Sequence, residues 1–403
     1  MRTVVARALC LAAAAATGPL AAQDGDRVGV AVGEANAYPE VRIDYLSNDN
    51  VFVQADDPVD GSSVVVSPSV ELVADRRLLT LRATYAGRFS QGSEDVLDYA
   101  DHTLSVVGDA ALDKRNRFTG SVTYARGHQE VGFNLTRGRA VDLNEAVVFN
   151  RFSAAAAYRY GVVDARGNVE VGIDVTRRNY ANLEAITEGR DFTAVQPFGL
   201  FSYRLSGDTR ALVELRYGSF SVDNGVNDRG ELSLFGGAEF AATGRIRGGF
   251  RLGATQADYS DASREDVTLL AASADVSYLL REYSTLRLNV DRELDDSAVQ
   301  LNGGTSAQAI TDSLRLTWLH EWTSRVSHRA YVERSSVVQL CPDGDSSTVS
   351  ASLELNFLVR RWLSFGAGAS GERRDGEACA DGDIEDALDY ERRVLGVHVR
   401  ATL

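Results

Sequence analysis

From Tyr38 to the C-terminus, apolar and polar residues alternate almost without pause, and this period of two constrains the chain more than any other feature. A strand turns successive side chains to opposite faces, so sustained alternation specifies strands with one apolar and one polar face. In 77–90, Leu79, Leu81, Ala83, Tyr85, Gly87 and Phe89 share a face, with Thr80, Arg82, Thr84, Ala86 and Arg88 on the other. Leu286, Leu288 and Val290 oppose Arg287, Asn289 and Asp291, and Leu314, Leu316 and Trp318 oppose Arg315 and Thr317. Helical spacing of apolar residues is not sustained anywhere. Breaks at Gly, Asp, Asn and Ser clusters divide the chain into eighteen expected strands. They lie near 38–54, 64–74, 77–90, 98–111, 116–130, 145–161, 168–181, 190–205, 209–222, 229–242, 245–259, 264–280, 284–294, 306–322, 325–338, 346–359, 361–374 and 386–402.

The connections alternate in length. Short ones, such as Asp75-Arg76, Asp113-Lys114-Arg115, Ser206-Gly207-Asp208 and Thr323-Ser324, separate long ones at 55–63, 91–97, 131–144, 182–189, 223–228, 260–263, 295–305, 339–345 and 375–385. A stack of soluble sandwiches gives no such rhythm, although its strands also have one apolar face. A barrel in an outer membrane gives it, with tight periplasmic turns and longer extracellular loops. Lipid offers no hydrogen-bond partner, so the backbone must close on itself. The fold class read from the sequence is therefore all-β: a transmembrane up-and-down antiparallel barrel of about 18 strands.

Residues 1–22 read as a secretory signal peptide, with Arg2 and Arg7 before an apolar stretch and small residues up to Ala22. Residues 23–37 follow as a short periplasmic segment, and 38–403 as an outer-membrane barrel of a Gram-negative bacterium. The formal net charge of −15 argues against nucleic acid as a partner, because phosphate binding needs a basic face. Much of the acidity lies in the long loops, as with Asp56, Asp57 and Asp60, or Asp375, Glu377, Asp381 and Asp383. Of three cysteines, Cys10 falls in the leader, and Cys341 and Cys379 fall in neighbouring long loops. An oxidising periplasm makes a Cys341–Cys379 disulfide the expected state.

Aromatic residues suggest two girdles. Phe118, Tyr160, Tyr203, Tyr283, Trp322 and Trp362 sit near short turns, and Phe52, Phe89, Tyr99, Phe149, Tyr180, Phe192, Phe220, Tyr259 and Tyr390 near long loops. His102, His128, His320, His328 and His398 are scattered without metal-ligand spacing, so no metal, cofactor or catalytic residue is expected. Gly366-Ala-Gly368-Ala-Ser-Gly371 mimics a dinucleotide fingerprint but lies inside a strand, where small residues ease curvature. The polar faces carry the candidate site residues, a lumen lining of Arg82, Arg88, Arg204, Glu214, Arg216, Arg247, Arg251, Arg287, Asp291, Arg315, Glu321 and Arg329. Such a mixed-charge interior suits a water-filled passage, and guanidinium groups can bond sugar hydroxyls and carboxylates.

Several segments also resemble the putative β-barrel porin 2 family. They are Tyr38-Pro-Glu-Val-Arg-Ile-Asp-Tyr-Leu-Ser-Asn-Asp-Asn-Val-Phe52, Ser67-Pro-Ser-Val-Glu-Leu72 with Leu79-Thr-Leu-Arg-Ala-Thr-Tyr85, and Asp98-Tyr-Ala-Asp-His102 with Tyr124-Ala-Arg126-Gly-His128. The resemblance implies a porin-like barrel without catalytic residues. It further implies association with exopolysaccharide systems, and pairing with a periplasmic polysaccharide-export protein. The expected function is a passive conduit for exopolysaccharide secretion, with outer-membrane lipid and lipopolysaccharide around it. A general or solute-specific diffusion porin, and a plugged structural or adhesive barrel, are the alternatives.

Overall fold

The computed structural model describes residues 29–133, 136, 143–162, 164–241, 244–262, 264–295, 309–339, 345–376 and 389–402. Nineteen strands occur among them. They are β1 (Val30–Val32), β2 (Ala35–Asn48), β3 (Gly61–Arg76), β4 (Leu79–Gly92), β5 (Tyr99–Ala111), β6 (Asn116–Gln129), β7 (Val147–Tyr160), β8 (Gly167–Tyr180), β9 (Phe192–Ser206) and β10 (Thr209–Val222). The series continues with β11 (Arg229–Phe240), β12 (Ile246–Tyr259), β13 (Val267–Arg281), β14 (Ser284–Asp295), β15 (Ala309–Glu321), β16 (Val326–Gln339), β17 (Asp345–Arg360), β18 (Leu363–Gly376) and β19 (Tyr390–Thr402). A one-turn helix, α1 (Glu184–Thr187), and a 3-10 turn at Asp95–Leu97 sit in long loops.

From β2 to β19, each strand pairs antiparallel with its sequence neighbours. The ring closes where β19 pairs with β2, from Thr402 opposite Glu40 to Val394 opposite Asn48. The protein is thus a closed, eighteen-stranded, up-and-down antiparallel barrel, as the alternation and loop rhythm indicate. The nineteenth strand, β1, pairs Val30–Val32 with Ala35–Ala37 on β2. Since β3 holds the other edge of β2 there, β1 continues the row of β19 beyond Thr402.

Two prolines inside strands leave local gaps. The β3–β4 ladder skips Ser67 and Pro68, and the β9–β10 ladder skips Gln196 and Pro197. A residue with no N–H cannot donate to a ladder, and these two fall where the ladder is interrupted. The first strand is also shorter than 38–54. β2 ends at Asn48 because Asn50 folds the chain back. Its Nδ2 donates to the Gln54 carbonyl (2.7 Å) and its Oδ1 accepts from the Gln54 N–H (2.9 Å). Val51 then leaves the wall and packs with Val96 and Val131 from two other long loops.

The two faces of the wall differ sharply. Val41, Ile43 and Tyr45 on β2, Val213, Leu215 and Tyr217 on β10, and Leu395 and Val397 on β19 are exposed on the outside. Phe118, Tyr160, Tyr203, Tyr283, Trp322 and Trp362 join this exposed apolar surface near the short turns, forming one aromatic girdle.

The second girdle does not form as expected. Phe89 is exposed, but Phe149, Phe192 and Phe220 share the inward face of their strands with arginines and pack under guanidinium groups. Tyr390 is buried beside Glu372, and Phe52 joins the cluster of loop valines. At the long-loop end, aromatic residues brace the interior instead of facing outward.

Candidate functional site in the barrel lumen

The site is the inner wall, and strand parity builds it. Each predicted lining residue alternates with exposed aliphatic or aromatic neighbours on its own strand. On β4, Arg82 and Arg88 alternate with Leu79, Leu81 and Phe89; on β9, Arg204 with Phe201, Tyr203 and Leu205. On β10, Glu214 and Arg216 lie between Val213, Leu215 and Tyr217; on β12, Arg247 and Arg251 alternate with Phe250 and Leu252. Arg287 and Asp291 on β14, Arg315 and Glu321 on β15, and Arg329 on β16 follow the same rule against Leu288, Leu314, Leu316, Trp318 and Val332.

Half of these lining residues are paired with an opposite charge. Arg82 Nε lies 2.8 Å from Glu71, and Arg204 Nη2 lies 3.1 Å from Asp164 in a short turn. Arg216 bridges Asp174 and Glu214, both at 3.1 Å, and Arg251 reaches the same Glu214 at 3.4 Å. Arg315 pairs with Glu333 at 2.5 Å, its guanidinium carbon 5.0 Å from the Tyr331 ring centre. Charge-assisted contacts of this kind fix long side chains in place and keep the wall hydrophilic.

The seam between β19 and β2 carries a denser network that the sequence reading left out. Arg42 Nε lies 2.9 Å from Asp44, and its Nη1 lies 3.2 Å from Glu354 on β17. His398 of β19 stands between them, with Nδ1 3.2 Å from Arg42 and Nε2 2.9 Å from Asn356 of β17. To reach Asn356 the imidazole crosses β18 at Gly366, where a Cβ would land on the ring. That clearance is the local role of the first glycine in Gly366-Ala-Gly368. Arg400, opposite Arg42 in register, lies 3.1 Å from Glu40. The signal was present in sequence, since Arg42 and Asp44 alternate with Val41, Ile43 and Tyr45.

At the long-loop end, a contact crosses the interior. Glu130, just after β6, lies 2.9 Å from Arg392 on β19, which is five strands away around the wall. Phe133 stacks edge-on against Tyr390 and beneath the Arg392 guanidinium. Residues 130–133 after β6 therefore reach inward across the lumen toward β19, supported by the packing of Val51, Val96 and Val131. Nearby, Arg88 covers Tyr99, and Tyr99 stacks on His128, whose Nδ1 lies 2.9 Å from Asp101. Asp113, in the short turn after β5, accepts three bonds from the turn: the N–H groups of Arg115 (2.6 Å) and Asn116 (2.8 Å), and Asn116 Nδ2 (2.6 Å). These bonds, the Arg115 N–H first, hold its carboxyl below the usual carboxylate range.

Cys341 and Cys379 lie outside the described residues, as does the proposed leader 1–22. No group of three or more His, Cys, Asp or Glu among the described residues has the geometry to hold a metal ion. His102 faces outward, with Nδ1 3.1 Å from the Tyr85 hydroxyl and its ring edge-on to Phe89.

Residues 23–403 match the family described as "Putative beta-barrel porin 2". The chain belongs to that family. Its members are porin-like β-barrel channels, which accords with a closed ring whose inner face is charged and whose outer face is apolar. No curated protein matches the chain. Among solved structures, a BenF-like porin from Pseudomonas fluorescens Pf-5 is similar, with 11% identity, 92% of this chain and 100% of that one covered, and a TM-score of 0.49. OpdO from Pseudomonas aeruginosa aligns at 13% identity over 92% and 98% of the two chains, with a TM-score of 0.48. The FrpB iron transporter from Neisseria meningitidis (F3-3 variant) aligns at 8% identity over 91% and 81%, with a TM-score of 0.46.

Proposed function

We propose that this porin-family barrel is an outer-membrane channel serving as a passive conduit for exopolysaccharide secretion. The observation that carries the channel reading is the division of the wall: a closed ring, apolar outside and charged within. Lipid and the acyl part of lipopolysaccharide would meet Leu395, Val397, Leu215 and their neighbours. The girdle of Trp322, Trp362 and Tyr283 would lie at the periplasmic interface. On this reading residues 1–22 are a secretory leader, the short turns are periplasmic, and a periplasmic polysaccharide-export protein docks at their rim. The exopolysaccharide cargo is supported by the family's association with such systems. The lumen supplies suitable chemistry in its arginines, carboxylates and hydroxyls.

One feature favours a diffusion porin for small solutes instead. The Glu130–Arg392 contact draws residues 130–133 across part of the lumen, which restricts a polymer more than a monomer. Deletion of the gene separates the readings. Export requires that surface polysaccharide and biofilm fall. Intact polysaccharide with reduced small-solute uptake refutes export and favours the porin. Purified protein in a planar bilayer should show stable unit conductance, and a silent barrel would refute the channel altogether.

A further inference from the structure

Arg151 and Arg178 stand apart from the other opposed arginines of the wall. Both occupy inward positions near the long-loop end, Arg151 alternating with Phe152 on β7 and Arg178 in phase opposite to Val169, Val171 and Ile173 on β8. The register sets them directly opposite each other. Opposed residues in an antiparallel ladder have Cβ atoms about 4.5–5.5 Å apart, and like charges there are destabilising. Lower on the same two strands, Arg159 faces Glu170 and is neutralised at 2.5 Å. Among the described residues, neither Arg151 nor Arg178 has a hydrogen bond or ion pair with a carboxylate, and Arg178 Nε is buried with no acceptor.

What holds Arg178 is aromatic. Its guanidinium carbon lies 5.2 Å from the ring centres of both Phe149 and Phe192. Ring faces orient the planar cation but satisfy none of its N–H groups. Nothing bulky overhangs the pair from β6, where Ala125 is the register partner of Arg151. The next inward pair down the strands, Ser153 and Thr176, has hydroxyl oxygens 3.4 Å apart.

We propose that Arg151 and Arg178 form a subsite for the carboxylate of a uronate-type saccharide, with Ser153 and Thr176 receiving its hydroxyls. The inference rests on the channel reading and names the chemistry of the cargo. Two unsatisfied guanidinium groups match the two oxygens of a carboxylate, and the anion relieves their mutual repulsion. The adjacent hydroxyl pair selects a sugar acid over a bare carboxylate, because a site built to bond a hydroxyl loses affinity when the ligand lacks one.

The test uses the full barrel in a planar bilayer, with trigalacturonate, a neutral trisaccharide and acetate as probes. Trigalacturonate should block the wild-type current more strongly than either of the others. The double change Arg151→Gln with Arg178→Gln should weaken that block on the order of tenfold or more, leaving the neutral sugar unaffected. Arg77→Gln, which removes one charge at the opposite rim, should change nothing. An unaltered trigalacturonate block in the double variant overturns the subsite. Acetate blocking as strongly as trigalacturonate overturns its saccharide part. Calorimetry of trigalacturonate with the protein in detergent reads the subsite independently of conduction. A silent barrel that binds through the two arginines refutes the channel and keeps the subsite. A conducting barrel indifferent to both arginines does the reverse.

Discussion

Among the described residues four pairs of arginines face each other across ladders of this barrel, and two of these pairs have opposite surroundings. At the seam, Arg42 opposes Arg400, with Asp44 and Glu354 around the first and Glu40 beside the second. On the β7–β8 wall, Arg151 opposes Arg178, with phenylalanine rings where the carboxylates would be. The seam ladder is also shorter. It covers Glu40–Asn48 of β2, whereas the β3 side of the same strand is paired from Asn36 to Asn48. At the seam, side-chain bonds supplement a short backbone ladder. Compensated arginines serve the wall, and uncompensated ones cost the wall stability and are free to meet something passing through it.

The largest effect should come from Arg42→Ala, which leaves Asp44 and Glu354 facing each other without their shared cation. Thermal unfolding followed by circular dichroism should show a loss of about 2–3 kcal/mol, and an unchanged transition would mean that the seam network is decorative. Gly366→Ala comes next. Its methyl group displaces the His398 ring from Asn356, for roughly 1–2 kcal/mol by overpacking. A second change, His398→Ala, should restore only part of that loss, because the new Cβ still lies 2.7 Å from the Leu355 carbonyl oxygen. The smallest effect belongs to Arg178→Gln, which removes a like-charge contact and should leave stability unchanged or raise it by up to about 0.5 kcal/mol. A loss above about 1 kcal/mol there would erase the distinction between the two arginine pairs.

The contrast explains what could be read from the chain. The barrel was legible because alternation and loop rhythm both depend on backbone geometry, and β10 shows why the inner face is clear. There Val213, Leu215 and Tyr217 are unlike Glu214 and Arg216 in every respect. On β7 the run Ala154–Ala157 removes that contrast, and on β8 the doublet Arg177-Arg178 places a charge at both parities. The upper arginine pair was hidden by this local ambiguity. Proximity to loops suggested that Phe149, Phe192 and Phe220 were girdle residues. Their parity would have corrected this, since Phe149 is in step with Arg151, and Phe220 with Arg216. The reach of His398 over Gly366 was not legible, because it depends on the exact register of β17, β18 and β19, which alternation alone does not set.

The seam has a kinetic side as well. It joins residues 40–48 to 394–402, so the ring can only be completed after almost the whole chain is in place. Contacts that form after the folding transition state act on the rate of opening rather than on the rate of closing. Arg42 and His398 would then work as a latch, leaving assembly as slow as its topology dictates and lengthening the lifetime of the finished barrel.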